Sequence, residues 1–351
     1  MKRAERQEIV RDIIEPYLTG KRDRSMKNQY ERIRPDPNDQ RIRTVMSFFT
    51  TETGRAASSE SFVDYSTNLQ NLAKEISFKD GLYRIRDCFI APPGWKLVAC
   101  DYEKAEAVIV AAESQDWDFL DMILHGHDIH DFHAEQIWGP DFTKDQRHVG
   151  KRVTYSSFYL ASVATITRKI NAKLEDMRVT EEQVETIHGE LMDIHPLEEW
   201  WDRVWDNLMD EDMYGGPRWL EDCLGFRRKF YNPNKYDRWK EAVNFKAQSG
   251  VSSIIDRAMI DSVSELDDDV RAKFILQVHD ELLWLVKNPY VDTFLSKIKP
   301  IMEKPFEIHG EELYIPIEAE VGDRWDGWRG PDGPDPENEM GRLEEVEING
   351  R

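Results

Sequence analysis

The segment from Phe274 to Val286, FILQVHDELLWLV, constrains the fold more than any other stretch of this chain. Apolar and aromatic runs flank the polar group His279–Glu281, which predicts a β-hairpin with these polar residues at or near its tip. Two adjacent carboxylates in so apolar a setting are costly to bury without a cation. Mg²⁺ or Mn²⁺ would neutralise them, because these hard ions prefer carboxylate oxygens. Taken alone, the segment favours a plainer interpretation, a solvated turn that carries two acids.

Composition limits the class of protein. The three cysteines of the 351-residue chain form no CxxC pair, so neither a disulfide framework nor a zinc site is indicated. No apolar run is long enough to span a membrane and no signal-peptide pattern stands at the start, so we expect a soluble cytoplasmic protein. The net charge of −21 argues against nucleic-acid binding over the whole surface and leaves it to local basic segments.

A second acidic feature stands where a predicted strand meets a predicted helix. WKLVACD, Trp95 to Asp101, predicts a buried strand that ends in an acid. EKAEAVIVAA, residues 103–112, predicts a helix directly after it. A carboxylate at the carboxyl end of a strand, followed by a helix, is well placed to hold a metal ion.

A basic helix is predicted after Thr143, which forms a capping-box sequence with Gln146. Two cations and two aromatic residues then recur every four positions: Arg147, Lys151, Tyr155 and Tyr159. Each step of four advances about 40° around a helix, so the four side chains fall within a stripe of roughly 120°. Such a stripe suits a triphosphate with a base stacked beyond it, although a solvated basic helix is the plainer alternative.

Two further segments carry polar side chains at helical spacing. His127, His130 and His133 would share one helical face, but no pairing of the HExxH type is present, which disfavours a metal site. Asn244 and Gln248 lie one turn apart in a predicted helix, and amide side chains can bond to base edges in a minor groove.

In this order the segments resemble the family A, or DNA polymerase I-like, DNA polymerases. The resemblance runs from Thr53 to Trp325 and rests on five motifs: TGR with NLQN after it, Asp101-Tyr102 with Glu106, the stripe from Arg147 to Tyr159, the helix with Asn244 and Gln248, and His279-Asp280-Glu281. The family's glycines in the stripe helix are Ser156 and Leu160 here, and its arginine before Asn244 is Lys240.

The resemblance implies an α+β fold, in which a right-hand polymerase palm, an antiparallel sheet with helices, is joined to helical fingers, with thumb and exonuclease domains absent. The expected boundaries are an N-terminal helix and basic connector at 1–36, palm at 37–110, fingers at 111–238, palm again at 239–325 and an acidic, mostly disordered tail at 326–351.

The resemblance also implies template-directed DNA synthesis with two Mg²⁺ ions, or Mn²⁺ in their place. The implied catalytic residues are Asp101, Asp280, Glu281 and Lys151, and the implied metal ligands are Asp101, Asp280 and the backbone carbonyl of Tyr102. The implied dNTP-binding residues are Arg147, Lys151, Tyr155, Glu106, His130 and Tyr159, with Glu106 excluding a ribose 2′-hydroxyl. The implied contacts to primer–template DNA are Arg55, Lys240, Asn244, Gln248 and His279.

Little sequence precedes the TGR segment, so we expect a naturally split, phage-type polymerase acting in the host cytoplasm. A separate polypeptide would supply the thumb and the 3′–5′ exonuclease, and an engineered fragment is the alternative. A second class of protein is a polymerase-like subunit that binds DNA or a partner and has lost catalytic activity, which Ser156 and Leu160 favour. A single-subunit RNA polymerase is a third, although Glu106 and the NLQN segment favour DNA.

Overall fold

The computed structural model describes residues 33–48, 50–60, 65–72, 76–78, 81–83, 85–172, 178–209, 219–266, 270–325 and 344–345. The predicted N-terminal helix, the basic connector up to residue 32 and most of the acidic tail lie outside these ranges. No helix in the described ranges is long and apolar enough to cross a membrane.

The first half of the chain passes from short strands to a block of helices. The strands are β1 (Val45–Ser47), β2 (Ala57–Ser59), β3 (Ile76–Phe78), β4 (Gly81–Tyr83) and the long β5 (Trp95–Tyr102). The helices are α1 (Ala105–Ser114), α2 (Trp117–Leu124), α3 (Ile129–Trp138), α4 (Lys144–Phe158), α5 (Val163–Asn171), α6 (Glu181–Ile194) and α7 (Leu197–Met209).

The second half returns to strands around one long helix. Its elements are β6 (Trp219–Glu221), β7 (Arg227–Lys229), α8 (Lys235–Glu265), β8 (Ala272–Val278), β9 (Glu281–Lys287), α9 (Val291–Met302), β10 (Phe306–Ile308), β11 (Glu311–Leu313), β12 (Ile317–Gly322) and β13 (Glu344–Glu345). The structure therefore confirms the predicted hairpin, the strand that ends at the acid and the long helix with the two amides.

The central sheet has five antiparallel strands in the order β13-β12-β5-β9-β8. Alternate residues of a strand point to opposite faces, so β5 contributes to two separate cores. Val98, Cys100 and Tyr102 pack with α1, α8 and α9 on one face. Leu97 and Ala99 pack on the other face with apolar residues that include Leu69, Leu72 and Trp325. The sheet is thus buried on both faces, which explains why its middle strands read as continuous apolar runs.

The helical block has its own smaller core between α4, α5 and α6. Val149 and Val153 of α4 meet Ile166 and Ile170 of α5 there, together with apolar residues of α6. The capping box predicted at Thr143 is present, and its hydroxyl accepts from the Gln146 backbone at the start of α4. A second capping box, at Thr180 with Gln183, begins α6. These caps fix where the two helices begin, independently of packing.

Candidate active site

Three carboxylates lie side by side across the central sheet. Asp101 on β5 is directly opposite Glu281 on β9 and directly opposite Glu318 on β12. Opposed residues of an antiparallel pair point to the same face, so all three side chains project from the face that does not carry α1 and α8. Like charges in opposed positions destabilise a sheet, so the row favours a cation close by.

The predicted hairpin places Asp280 beside this row. His279 and Asp280 form the two-residue loop between β8 and β9, and His279 has a left-handed backbone with φ of 56°. Such a φ at the first loop residue usually requires glycine, so the histidine is held there at some cost in strain. The backbone N–H of Tyr102 donates to the carbonyl of Asp280 over 3.3 Å, which ties the hairpin tip to the end of β5.

Burial raises the pKa of Asp280, and the negative charge of Glu106 raises it further. A backbone hydrogen bond and the neighbouring His279 and Arg55 act in the opposite direction. A carboxylate whose charge is opposed by burial and by another acid is stabilised when a cation binds it. The raised pKa of Asp280, like the row of three carboxylates, therefore favours a cation at this site.

Segments that are far apart in the sequence support the hairpin. The amide nitrogen of Gln70, in the NLQN segment, donates to the backbone carbonyl of Gln277 over 2.9 Å. The amide oxygen of Gln70 accepts from the backbone N–H of Ser58 over 2.6 Å, and the Ser58 hydroxyl also bonds to Asn68. The TGR–SS segment, the NLQN segment and the hairpin are thus joined by one hydrogen-bond network.

Glu106, in the first turn of α1, is the centre of a second network. Its two carboxylate oxygens accept hydrogen bonds from Arg55 over 2.7 Å and from the Tyr159 hydroxyl over 2.8 Å. Burial raises the pKa of Tyr155 to about 12, and the charges of Glu106 and Asp280 contribute. The structure therefore brings Glu106, Arg55, Tyr155 and Tyr159 close to the hairpin tip.

Arg147, the first residue of the stripe, is already paired within the protein. The Arg147 guanidinium donates to Asp128 over 2.6 Å and also to Asp131, both at the start of α3. His130, between these two acids in sequence, lies with its ring centre 5.7 Å from that of Tyr155. Burial and the charge of Lys151 lower the pKa of His130 to about 4, so this histidine is neutral near pH 7.

The long helix α8 carries the predicted amides on its half-buried side. The Asn244 amide donates to the carbonyl of Lys240 over 2.7 Å, within the helix itself. The ammonium of Lys240 lies 4.3 Å from the centre of the Tyr236 ring, one turn earlier. Gln248 is half-buried one turn after Asn244. The assignment of these side chains to DNA stays a prediction.

The described ranges contain no group of three or more His, Cys, Asp or Glu residues arranged to hold a metal ion. His133, one of the histidines considered for such a site, is buried and bonds through Nε2 to Nε2 of His195 over 2.8 Å. Mg²⁺ commonly uses one or two protein carboxylates and completes its shell with substrate phosphates and water. The neighbouring pair Asp101 and Asp280 fits that donor set.

Sequence reasoning missed several residues of the site. Glu318 became visible only through the register of β12 against β5. Trp325 donates its indole N–H to Glu281 over 3.3 Å, a contact that no local pattern indicates. The pairing of Arg147 with Asp128 and Asp131 had a weak signal, because acids at the start of one helix are suitable partners for a basic helix beside it.

Comparison with known proteins matches this arrangement to one family. A family model described as DNA polymerase family A matches residues 1–327. DNA polymerase I of Pseudomonas aeruginosa is 27% identical over 298 residues, which cover 83% of this chain and 30% of the relative. The thermostable DNA polymerase I of Thermus caldophilus is 28% identical over 324 residues, covering 88% of this chain and 35% of the relative. The chain thus spans about a third of the length of these curated relatives.

The fold has a counterpart among solved structures. The POL domain of Pol1 from M. smegmatis, in complex with DNA primer-template and dNTP, superposes with a TM-score of 0.70. The match covers 91% of this chain and 55% of the other, at 24% sequence identity. At that identity the likeness establishes the fold, an α+β arrangement of an antiparallel sheet with a helical block.

Proposed function

The chain belongs to the family A DNA polymerases, and on that premise we propose that it catalyses template-directed DNA synthesis. The reaction would transfer a deoxynucleotidyl group from a dNTP to the 3′-hydroxyl of a primer, with release of pyrophosphate. The observation that carries the proposal is the placement of Asp101 and Asp280 at adjoining ends of two paired strands, beside Glu281 and Glu106.

Asp101 and Asp280 would hold the divalent ions, with the Tyr102 carbonyl as a further ligand and Glu281 as an auxiliary carboxylate. Bound Mg²⁺, or Mn²⁺ in its place, would supply charge neutralisation for the triphosphate and lower the pKa of the primer hydroxyl. The acidic row across β12, β5 and β9 gives the site the negative potential that such ions require.

The stripe on α4 would bind the nucleotide. Arg147 and Lys151 would bind the phosphates, and Lys151 would be placed to donate a proton to the leaving pyrophosphate. Burial and the charges of Arg147 and Arg152 lower the pKa of Lys151, which favours proton donation. Tyr155, with His130 beside it, would stack on the incoming base.

The Glu106 network would discriminate between the deoxyribose and the ribose of the incoming nucleotide. Glu106 is fixed by Arg55 and Tyr159 on two sides, so it would not swing away from a ribose 2′-hydroxyl. Arg55, Lys240, Asn244, Gln248 and His279 would contact the primer–template duplex. The minor groove offers acceptors common to all correct base pairs, so these contacts would test geometry without reading sequence.

In this proposal β5, α1, α8 and the hairpin β8–β9 belong to the palm, over 37–110 and 239–325, and the helices between them form the fingers, over 111–238. A separate polypeptide that supplies thumb and 3′–5′ exonuclease, and a phage-type origin, stay predictions.

Leu160 is relevant to the alternative that the chain is a subunit without catalytic activity. It has a left-handed φ of 54°, a conformation that glycine adopts without strain, at a position where the family has glycine.

Primer extension on a short primed template at low salt tests the proposal. Mg²⁺ with dNTPs is compared with Mg²⁺ with NTPs, for the wild type, Asp280→Ala and the control Asp292→Ala, whose carboxylate is exposed on α9. We expect extension with dNTPs by the wild type and the control, and a loss of at least about a thousandfold in Asp280→Ala. Extension with NTPs alone would indicate the RNA polymerase alternative, and extension by Asp280→Ala at the wild-type rate would refute the assignment of the site.

A further inference from the structure

A cationic cavity lies between α4 and α5, next to the stripe that the proposed reaction uses. It has a volume of about 310 Å³, and its lining includes Lys151, Arg152, Lys169 and His148. The remaining lining residues are Tyr155, Ser156 and Ile170, so no carboxylate from the described part of the chain lines it. Three side chains that are cationic at neutral pH therefore surround one small space.

This arrangement is unusual in a chain whose net charge is −21. Arg147, one turn before Lys151, is held by two carboxylates. Within the described ranges, by contrast, Lys151, Arg152 and Lys169 form no ion pair with a carboxylate. Like charges brought together without counterions repel one another, which makes such a cavity a site for an anion.

One contact inside the cavity orients a cation. The Nε of Arg152 donates to Nε2 of His148 over 2.8 Å, one helical turn apart. The guanidinium is thereby partly fixed before any ligand arrives, and a fixed planar donor binds phosphate oxygens at a lower entropic cost. Lys169 reaches the same space from α5, so an anion bound there would bridge two helices.

We propose that this cavity is a second phosphate-binding site and that its ligand is inorganic pyrophosphate. The inference rests on the proposed function, because pyrophosphate is the product that nucleotidyl transfer releases. Lys151 belongs both to the nucleotide stripe and to the cavity lining, so the same side chain is available to pyrophosphate in either place.

Size and shape favour pyrophosphate over larger ligands. Pockets for drug-sized molecules range from about 300 to 1,000 Å³, so this cavity lies at the small end. A nucleic-acid strand would require cations spaced along an extended groove, with aromatic platforms for its bases. Here the cations line one small cavity between two helices.

Isothermal titration of sodium pyrophosphate into the full chain, without DNA and without metal, tests the assignment. Arg152→Gln and Lys169→Gln each remove one cation from the cavity. The control Arg168→Gln removes the same charge from the neighbouring exposed position of α5, outside the lining. We expect each cavity variant to bind pyrophosphate at least about tenfold more weakly than the wild type, and the control to bind within about twofold of it.

The same titration with a short oligothymidylate tests whether the cavity binds the phosphates of a DNA strand rather than free pyrophosphate. Loss of oligonucleotide binding with unchanged pyrophosphate binding in the cavity variants would overturn the assignment, as would unchanged binding of both. Thermal unfolding of each variant verifies that the fold is retained. Asp280→Ala serves as the second control. Pyrophosphate binding that persists in this variant and depends on Arg152 sustains the inference even if the chain extends no primer.

Discussion

Arg55 and Glu106, which are 51 positions apart in the chain, form an ion pair with 2.7 Å between Nη2 and Oε1. The other carboxylate oxygen of Glu106 accepts from the hydroxyl of Tyr159, at the end of α4. One side chain therefore joins the loop after β1, the first turn of α1 and the stripe helix. Its position next to Asp280 makes it the best-supported candidate for selection of the sugar.

Replacement of Tyr159 with Phe removes one of the two hydrogen bonds that hold Glu106. We expect discrimination between dNTP and NTP, measured as the ratio of kcat/KM values, to fall by about tenfold, because a charge-assisted hydrogen bond contributes about 1.5–3 kcal/mol. Tyr314→Phe is the matched control, since Tyr314 is 45% exposed. An unchanged ratio in Tyr159→Phe would show that Arg55 alone positions Glu106.

Replacement of Asp131 with Asn removes one carboxylate from Arg147. The guanidinium would then bind the triphosphate without first breaking this pair, so we expect KM for dNTP to fall by about threefold while kcat changes little. The cap at the start of α3 is retained, because Asp128 provides it. Glu135→Gln, on the same helix and exposed, is the control. A rise in KM would mean that Asp131 positions Arg147 for the substrate.

Asp256 on α8 predicts a pH dependence of stability. Its side chain is 4% exposed, and neither carboxylate oxygen has a hydrogen-bond partner within the described part of the chain. Burial raises its pKa from 3.8 to about 7. Because the folded-state pKa is the higher one, the folded state binds the proton more tightly, and stability falls as the pH rises from about 4 to about 7 and is constant above that.

Replacement of Asp256 with Asn should remove this loss. We expect the free energy of unfolding, measured by urea denaturation, to increase by about 2–4 kcal/mol at about pH 8 and to change little at about pH 4. Asp237→Asn, in the exposed first turn of the same helix, should instead be neutral or slightly destabilising, since an acid there favours the helix dipole. A destabilised Asp256→Asn at about pH 8 would contradict the prediction.

Replacement of Trp325 with Phe separates support of the site from catalysis. Trp325 packs edge-on against Phe89 with ring centres 5.5 Å apart, and the guanidinium of Arg86 lies 4.7 Å from its ring centre. A phenyl ring keeps most of that packing and loses the hydrogen bond to Glu281. We expect a stability loss of about 1 kcal/mol and a fall in kcat of no more than about threefold, measured by calorimetry and primer extension.

Trp219→Phe, at a position that is 56% exposed, is the matched control for this substitution. A fall in kcat of a hundredfold or more in Trp325→Phe would place Glu281 among the groups that act directly in the reaction, as Asp280 is proposed to do.

Local sequence determined much of this protein. The alternation and apolar runs of β5, β8 and β9, the two capping boxes and the four-residue recurrence on α4 are short-range signals, because they follow from backbone hydrogen bonding and from which side of an element is buried. The order of five motifs identified the family. The spacing also correctly placed Asp101 at a strand end and Asp280 at a hairpin tip.

Tertiary structure decided which of these residues meet. The pairing of Asp101 with Glu318 depends on the register of two strands that are more than 200 residues apart, and the bond from Gln70 to Gln277 spans 207 positions. The carboxylates that neutralise Arg147, and the lack of a carboxylate among the described residues that line the cavity at Arg152, are likewise consequences of helix packing. Sequence patterns record the local preference of each segment, whereas electrostatic interactions depend on distance in space, which only the folded chain fixes.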